Sequence, residues 1–150
     1  MQTLFDNQTY QEVLQRIENL DEHSQPVWGQ MDVAQMLNHC QRPLEVANGR
    51  LTFTEKPGFA KKLVFKFFKP QMYNDKPWKQ NIPTVKDFKV EQAKPFVEEK
   101  QKLKEVLSEF NKKDLNLHWP KHPFFGEFTT EQWGKMQYKH IDHHLRQFGV

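Results

Sequence analysis

The sequence predicts an all-α protein, an up-and-down four-helix bundle, and three observations predict it. Four stretches keep apolar residues at the 3.6-residue period of a buried helix face. The connections between them are punctuated by proline, which stops one helix from running into the next. The size fits as well: 150 residues with thirteen Phe and four Trp supply one ordinary core, so 1–150 reads as a single domain, without internal repeats or low-complexity tracts.

The first pattern covers about 9–20, with Tyr10, Val13, Leu14, Ile17 and Leu20 on one face, and Pro26 and Trp28-Gly29 close that region. A second pattern, about 31–47, turns Val33, Met36, Leu37, Cys40, Leu44 and Ala47 inward and stops at Asn48-Gly49, a suitable left-handed terminator. Pro43 inside it is expected to remove one backbone bond and kink the helix near His39. Residues 58–69 are a short apolar segment, read as a short helix. Pro70, Pro77 and Pro83 then make about 69–89 a long, proline-rich, irregular excursion between helices two and three of the bundle. The third long pattern, about 91–111, places Phe96, Leu103, Val106, Leu107 and Phe110 inward and a Lys- and Glu-rich face outward. In the proline-punctuated loop that follows, His118 and His122 read as surface imidazoles, with His122 a further candidate to line the mouth of a site. Thr129 and Gln132 make a capping box that opens the last helix.

That last helix carries the chemistry. At about 100° per residue, Trp133, Met136, His140, Ile141, His144, Leu145 and Phe148 form one stripe, with Lys135, Lys139, Asp142 and Arg146 opposite. His140 and His144 lie one turn apart on the core side, where an imidazole must find hydrogen bonds or a metal. Spacing alone is a weak signal, because buried histidines bonded to ordinary acceptors are commoner than ligands. A third ligand from elsewhere strengthens the metal reading, and His39, at the edge of the second helix's stripe, is the best source. Cys40 beside it is about 100° away on the helix and is read as a small core residue, not as the nucleophile of a Cys–His pair.

Charge and targeting narrow the field. Residues 56–104 hold thirteen Lys against five Asp or Glu, a local excess of eight in a chain of net +3. None of these thirteen cations is Arg, and they spread over a loop and an outer helix face, so a solvated surface is preferred to a nucleic-acid interface. A single Cys excludes an intrachain disulfide, and the first residues lack a basic region followed by an apolar run, which makes the cytoplasm the expected location. No run approaches the length of a membrane span, and no membrane partner is expected. Glycine-rich phosphate loops, Gly-x-Ser-x-Gly elbows and Cys-x-x-Cys pairs are absent.

Two stretches carry a family resemblance. Trp28-Gly29-Gln30-Met31 leads to Met36-Leu37-Asn38-His39-Cys40. His122-Pro123-Phe124-Phe125-Gly126-Glu127-Phe128-Thr129 leads through Trp133-Gly134 to His140-Ile141-Asp142-His143-His144-Leu145-Arg146-Gln147-Phe148-Gly149. The chain resembles the DinB-like superfamily, in its branch of unknown function. The first stretch is similar to the family's second helix with its single ligand histidine, and the second to the branch's C-terminal signature. The resemblance implies a four-helix bundle in which His39, His140 and His144 hold a divalent metal, with His143 beside the pair. It also brings in relatives that are metal-dependent thiol transferases using bacillithiol or mycothiol, a mycothiol-dependent isomerase, and proteins that are hydrolases by name only.

Three imidazoles leave a tetrahedral Zn²⁺ one open position, as in catalytic sites; Ni²⁺ fits equally, and Fe²⁺ or Mn²⁺ also suit such ligands. The expected function is therefore a metal-dependent enzyme that activates a thiol or water, with a thiol transferase preferred because no general base is evident. Asp142 points away, and Glu127 and Glu131 have no fixed role. A hydrolase and a non-catalytic metal-binding or interaction module stay open. The expected partners are a small-molecule electrophile and a low-molecular-weight thiol, in a pocket bordered by residues 118–128, and a homodimer is compatible with this reading.

Overall fold

Asp6 starts the first helix: its carboxylate accepts the Thr9 amide at 2.8 Å, and α1 runs Asn7–Glu18 with Tyr10, Val13 and Ile17 buried. The computed structural model describes residues 2–52 and 58–150; Lys56, at the start of the lysine-rich stretch, lies outside them. Asp32 and Gln35 form a capping box that opens α2, Val33–Ala47. All six positions expected inward on α2 are buried, and Gly49 just beyond its end takes the left-handed conformation at φ 75°. The helix continues through Pro43, so the His39 carbonyl has no Pro43 N–H to accept.

Residues 58–95 make up most of the connection from α2 to the next long helix. They contain α3, Phe59–Phe68, a 3-10 turn at Lys69–Met72, and a second at Lys86–Phe88, with irregular backbone between. The excursion expected from the prolines is present. The helix expected from about residue 91 begins later, as α4, Phe96–Asn111, because Pro95 holds the residue before it out of helical conformation. α5, Thr130–Gln147, opens with the expected Thr129–Gln132 capping box.

The protein is all-helical, with five α-helices and no strand among the described residues; an isolated bridge pairs His122 with Gly126. α1 and α2 each pack on both α4 and α5, and one core draws on all four. Leu37, Leu44, Leu107, Phe110, Trp133 and Ile141 are fully buried there. Each such side chain contributes roughly 1.5–3 kcal/mol through its removal from water. No helix is long and apolar enough to cross a membrane, among the described residues.

One polar cluster sits at the α2–α4 seam. Glu99 lies on the inward stripe of α4, between Phe96 and Leu103, and is 2% exposed. Its carboxylate accepts from Asn38 Nδ2 at 3.0 Å, Gln41 Nε2 at 2.7 Å and the Lys94 amide at 2.9 Å. Gln35 Nε2 reaches the Val90 and Glu91 carbonyls, both at 3.3 Å. These bonds fix the end of the excursion against α2, one residue from His39.

Candidate metal centre

α2 and α5 bring three histidines together. His39, His140 and His144 are all buried, and one ring nitrogen from each lies within 4.8 Å of the others. His140 Nε2 is 3.1 Å from His39 Nε2, and the ring centroids are 4.7–5.0 Å apart around the triangle. The i, i+4 spacing places His140 and His144 on one side of α5. The packing of α2 against α5 supplies His39, which is fully buried rather than at the semi-exposed edge its wheel position suggested.

Hydrogen bonds fix two of the three tautomers. His39 Nδ1 is 2.9 Å from the Phe88 carbonyl, which only accepts, so Nδ1 carries the proton and Nε2 keeps its lone pair. Gln147 donates Nε2 to the Trp28 carbonyl at 2.7 Å, which turns its Oε1 toward His144 Nδ1 at 2.8 Å. His144 therefore also holds its proton on Nδ1 and leaves Nε2 free. Gly29 is required beside this link: its φ is 87°, and a Cβ there would stand 2.3 Å from Gln147 Nε2. His140 Nδ1 is buried with no hydrogen-bond partner.

Burial keeps all three rings neutral near pH 7. It is the largest cause in each case, holding His39 below its ordinary range, lowering His144 to about 3 and holding His140 well below its ordinary range, with neighbouring imidazoles adding to the last. Neutral imidazoles with lone pairs on the inner nitrogens are what a divalent cation requires. Ligand nitrogens around tetrahedral Zn²⁺ sit about 3.3–3.4 Å apart for bonds of about 2.05 Å. The 3.1 Å between His39 and His140 is close to that separation. The residues present fit a divalent metal.

The walls differ from those expected. Trp119 packs on Phe5, Phe110 and Trp133, and Phe128 on Trp133 and Tyr73, so the loop 118–128 builds the core around the start of α5, two turns from His140. His122 is likewise 6% exposed, not a surface imidazole. Its Nδ1 accepts from the Phe124 and Phe125 amides at 3.2 and 3.3 Å, holding the turn that Gly126 closes. His118 is exposed, as expected. The rings beside the histidines are instead Trp78, 5.9 Å from His140; Phe88, 6.2 Å from His39; and His143, half-buried between Trp28 and Trp78.

Lys139 explains how Trp78 arrives there. Read as outward on the helical wheel, it is 6% exposed, because the excursion folds over that side of α5. Its ammonium donates to the Gln71 carbonyl at 2.6 Å, the Asn74 carbonyl at 3.0 Å and Asn74 Oδ1 at 2.7 Å, while Trp78 Nε1 donates to the same Gln71 carbonyl. Burial lowers Lys139 to about 8.

No carboxylate joins the three-histidine cluster among the described residues. Asp142 pairs with Arg16 at 2.9 Å and Arg146 at 2.7 Å, Glu127 with Lys121 at 2.9 Å, and Glu131 with Lys135. Cys40 is buried against Met36, and burial pushes its thiol up, away from any nucleophilic role. Gln147 was missed from the sequence, although an amide one turn after a candidate ligand is a readable signal. The Phe88 and Trp28 carbonyls have no such signal.

A family model described as a protein of unknown function (DUF1569) matches residues 3–149. The chain belongs to the DUF1569 family. No curated protein and no solved structure matched it.

Proposed function

We propose that this DUF1569 chain is a cytoplasmic metalloenzyme built as a DinB-like up-and-down four-helix bundle, with His39, His140 and His144 holding one divalent ion. What carries this reading is the convergence of three buried, neutral imidazoles from two helices, two with their outer nitrogens tied to fixed acceptors. The packing of α1 and α2 on both α4 and α5 supports the bundle. Zn²⁺ or Ni²⁺ suits the all-nitrogen set best, with Fe²⁺ or Mn²⁺ also accommodated. When bound, the ion supplies a Lewis acid with room for a further ligand, able to activate a thiol or water.

The chain's own groups set the rest. Phe88 and Gln147 orient the ligand rings, and Trp78, Trp28 and His143 border them with a mainly aromatic surface that suits an apolar small molecule. With Asp142, Glu127 and Glu131 each committed to an ion pair, none of these three is free to take a proton from water. A low-molecular-weight thiol ionises more readily, which favours thiol transfer to an electrophile over hydrolysis.

Metal content should be measured for the native chain and for His39→Ala, His140→Ala and His144→Ala, followed by an electrophile panel with bacillithiol, glutathione or no thiol. Loss of metal in each variant, and thiol-dependent turnover that is lost on stripping and restored by one metal, are the expected results. Native metal content in His140→Ala and His144→Ala would sink the site. Turnover without thiol would favour the hydrolase, and metal binding with no turnover the non-catalytic module.

A further inference from the structure

α3 has a face that the fold leaves uncovered. Leu63, Val64, Phe67 and Phe68 lie at i, i+1, i+4 and i+5 of a helix, which places them on one side, and they are 51%, 53%, 76% and 49% exposed. The opposite side is the attached one: Phe65 is half-buried and packs on Phe124 and Phe125, with ring centroids 5.0 and 5.5 Å away. Just beyond the helix, Lys69 is tied to the Glu127 carbonyl and lies over the Phe128 ring at 4.8 Å. The helix is therefore held to the protein along one edge while presenting four large apolar side chains to water. Single exposed apolar residues need no explanation, but four contiguous ones do.

The charge beside this face selects its partner. Lys66 borders the apolar residues on the Leu63 side, Lys62 lies one turn before it and farther round the helix, both are exposed, Lys61 adds a third cation to the α3 sequence, and no acidic residue occurs from 58 to 74. A second copy of the chain docked antiparallel about a two-fold axis would bring Lys66 beside its own counterpart. A bilayer with anionic headgroups satisfies both features. The apolar side chains enter the headgroup–acyl boundary, and the lysines extend their stems along it to reach phosphates. Absence of a spanning segment does not oppose this, since a helix lying in the interface plane needs only one apolar face. We propose that α3 is a membrane-surface docking helix selective for anionic phospholipid, a revision of the expectation that the chain has no membrane partner.

The test uses the full chain and vesicles of phosphatidylcholine alone or with about a third phosphatidylglycerol, sedimented at low and at raised salt. Retention on the anionic vesicles only, weakening as salt rises, is expected. Phe67→Ser should lower the partition coefficient about tenfold or more, Lys66→Gln about fivefold, and Lys62→Gln, farther from the apolar face, less than that. All three positions are exposed, so native helicity and melting temperature should be kept, and each variant checks the others. Absence of retention at low salt, equal retention on both vesicle types, or unaltered retention of all three variants would each overturn the proposal. So would a lipid-free dimer of the native chain that Phe67→Ser dissociates.

Discussion

Replacing Gln147 by methionine keeps the length and apolar bulk of the side chain and removes the amide that joins His144 to the Trp28 segment. Gln147 is 4% exposed, and both of its side-chain bonds are short, 2.8 Å from His144 Nδ1 and 2.7 Å to the Trp28 carbonyl. The two ends lose unequally. His144 is buried, so its Nδ1–H is left without an acceptor at about 1–3 kcal/mol, whereas Trp28 is half-buried and its carbonyl can turn to water at about 0.5–1.5 kcal/mol. The sum is about 1.5–4.5 kcal/mol of folding stability. The backbone bond from the Val27 amide to the Gln147 carbonyl, at 2.7 Å, remains and limits the loss. On the metal, the variant frees His144 to exchange tautomers and rotate, for an expected ten- to hundredfold weaker affinity, or about 1.4–2.7 kcal/mol. Gln147→Glu separates the two roles: its carboxylate still accepts from Nδ1, so affinity should hold, while the donor to Trp28 is gone. Chemical denaturation gives the first quantity and competition against a chelator the second. If Gln147→Met binds metal at native strength and unfolds at the native midpoint, the inference that this amide fixes the ring is wrong.

Three further outcomes follow from the packing and the buried charges. Gly134→Ala should destabilise by about 1–2 kcal/mol despite better helix propensity, since its Cβ would fall 2.2 Å from Thr3 Oγ1 and 2.6 Å from Phe5; a raised unfolding midpoint would contradict this packing. His122, lowered by burial to about 3 against an unfolded value near 6.5, contributes stability that is fully present above pH 6.5 and is lost as pH falls toward 3. Between pH 4 and 6, His122→Phe should therefore show a stability slope shallower by about 1.4 kcal/mol per pH unit, and parallel curves would refute it. Lys139→Met should release the Gln71–Asn74 turn, raising the exposure of Trp78 to fluorescence quenchers and speeding metal removal by chelators. Unchanged quenching would show that the excursion is held by other contacts.

The sequence by itself determined what depends on neighbours within a few residues. The apolar period fixed the inward faces of α2 and α5, Thr129 and Gln132 marked where α5 starts, the prolines forbade a helix over most of 69–89, and the i, i+4 spacing put His140 beside His144. Each is set by local backbone geometry, so it is legible without knowledge of the fold. Tertiary structure decided everything that depends on which surface meets which. A helical wheel ranks positions against a core that lies on one side only; the excursion covers a second side of α5, which is why Lys139 is buried with backbone acceptors. His122 left its expected surface because the Phe124 and Phe125 amides of its own turn supply the hydrogen bonds that make a buried polar side chain tolerable, as Gln41 and the Lys94 amide do for Glu99. The wall around the histidines passed from the loop 118–128 to Trp78 and Trp28 because seven residues of helix, about 10 Å, separate Trp133 from His140. That distance is in the sequence, but the direction from which the long connection returns to cover the site is not.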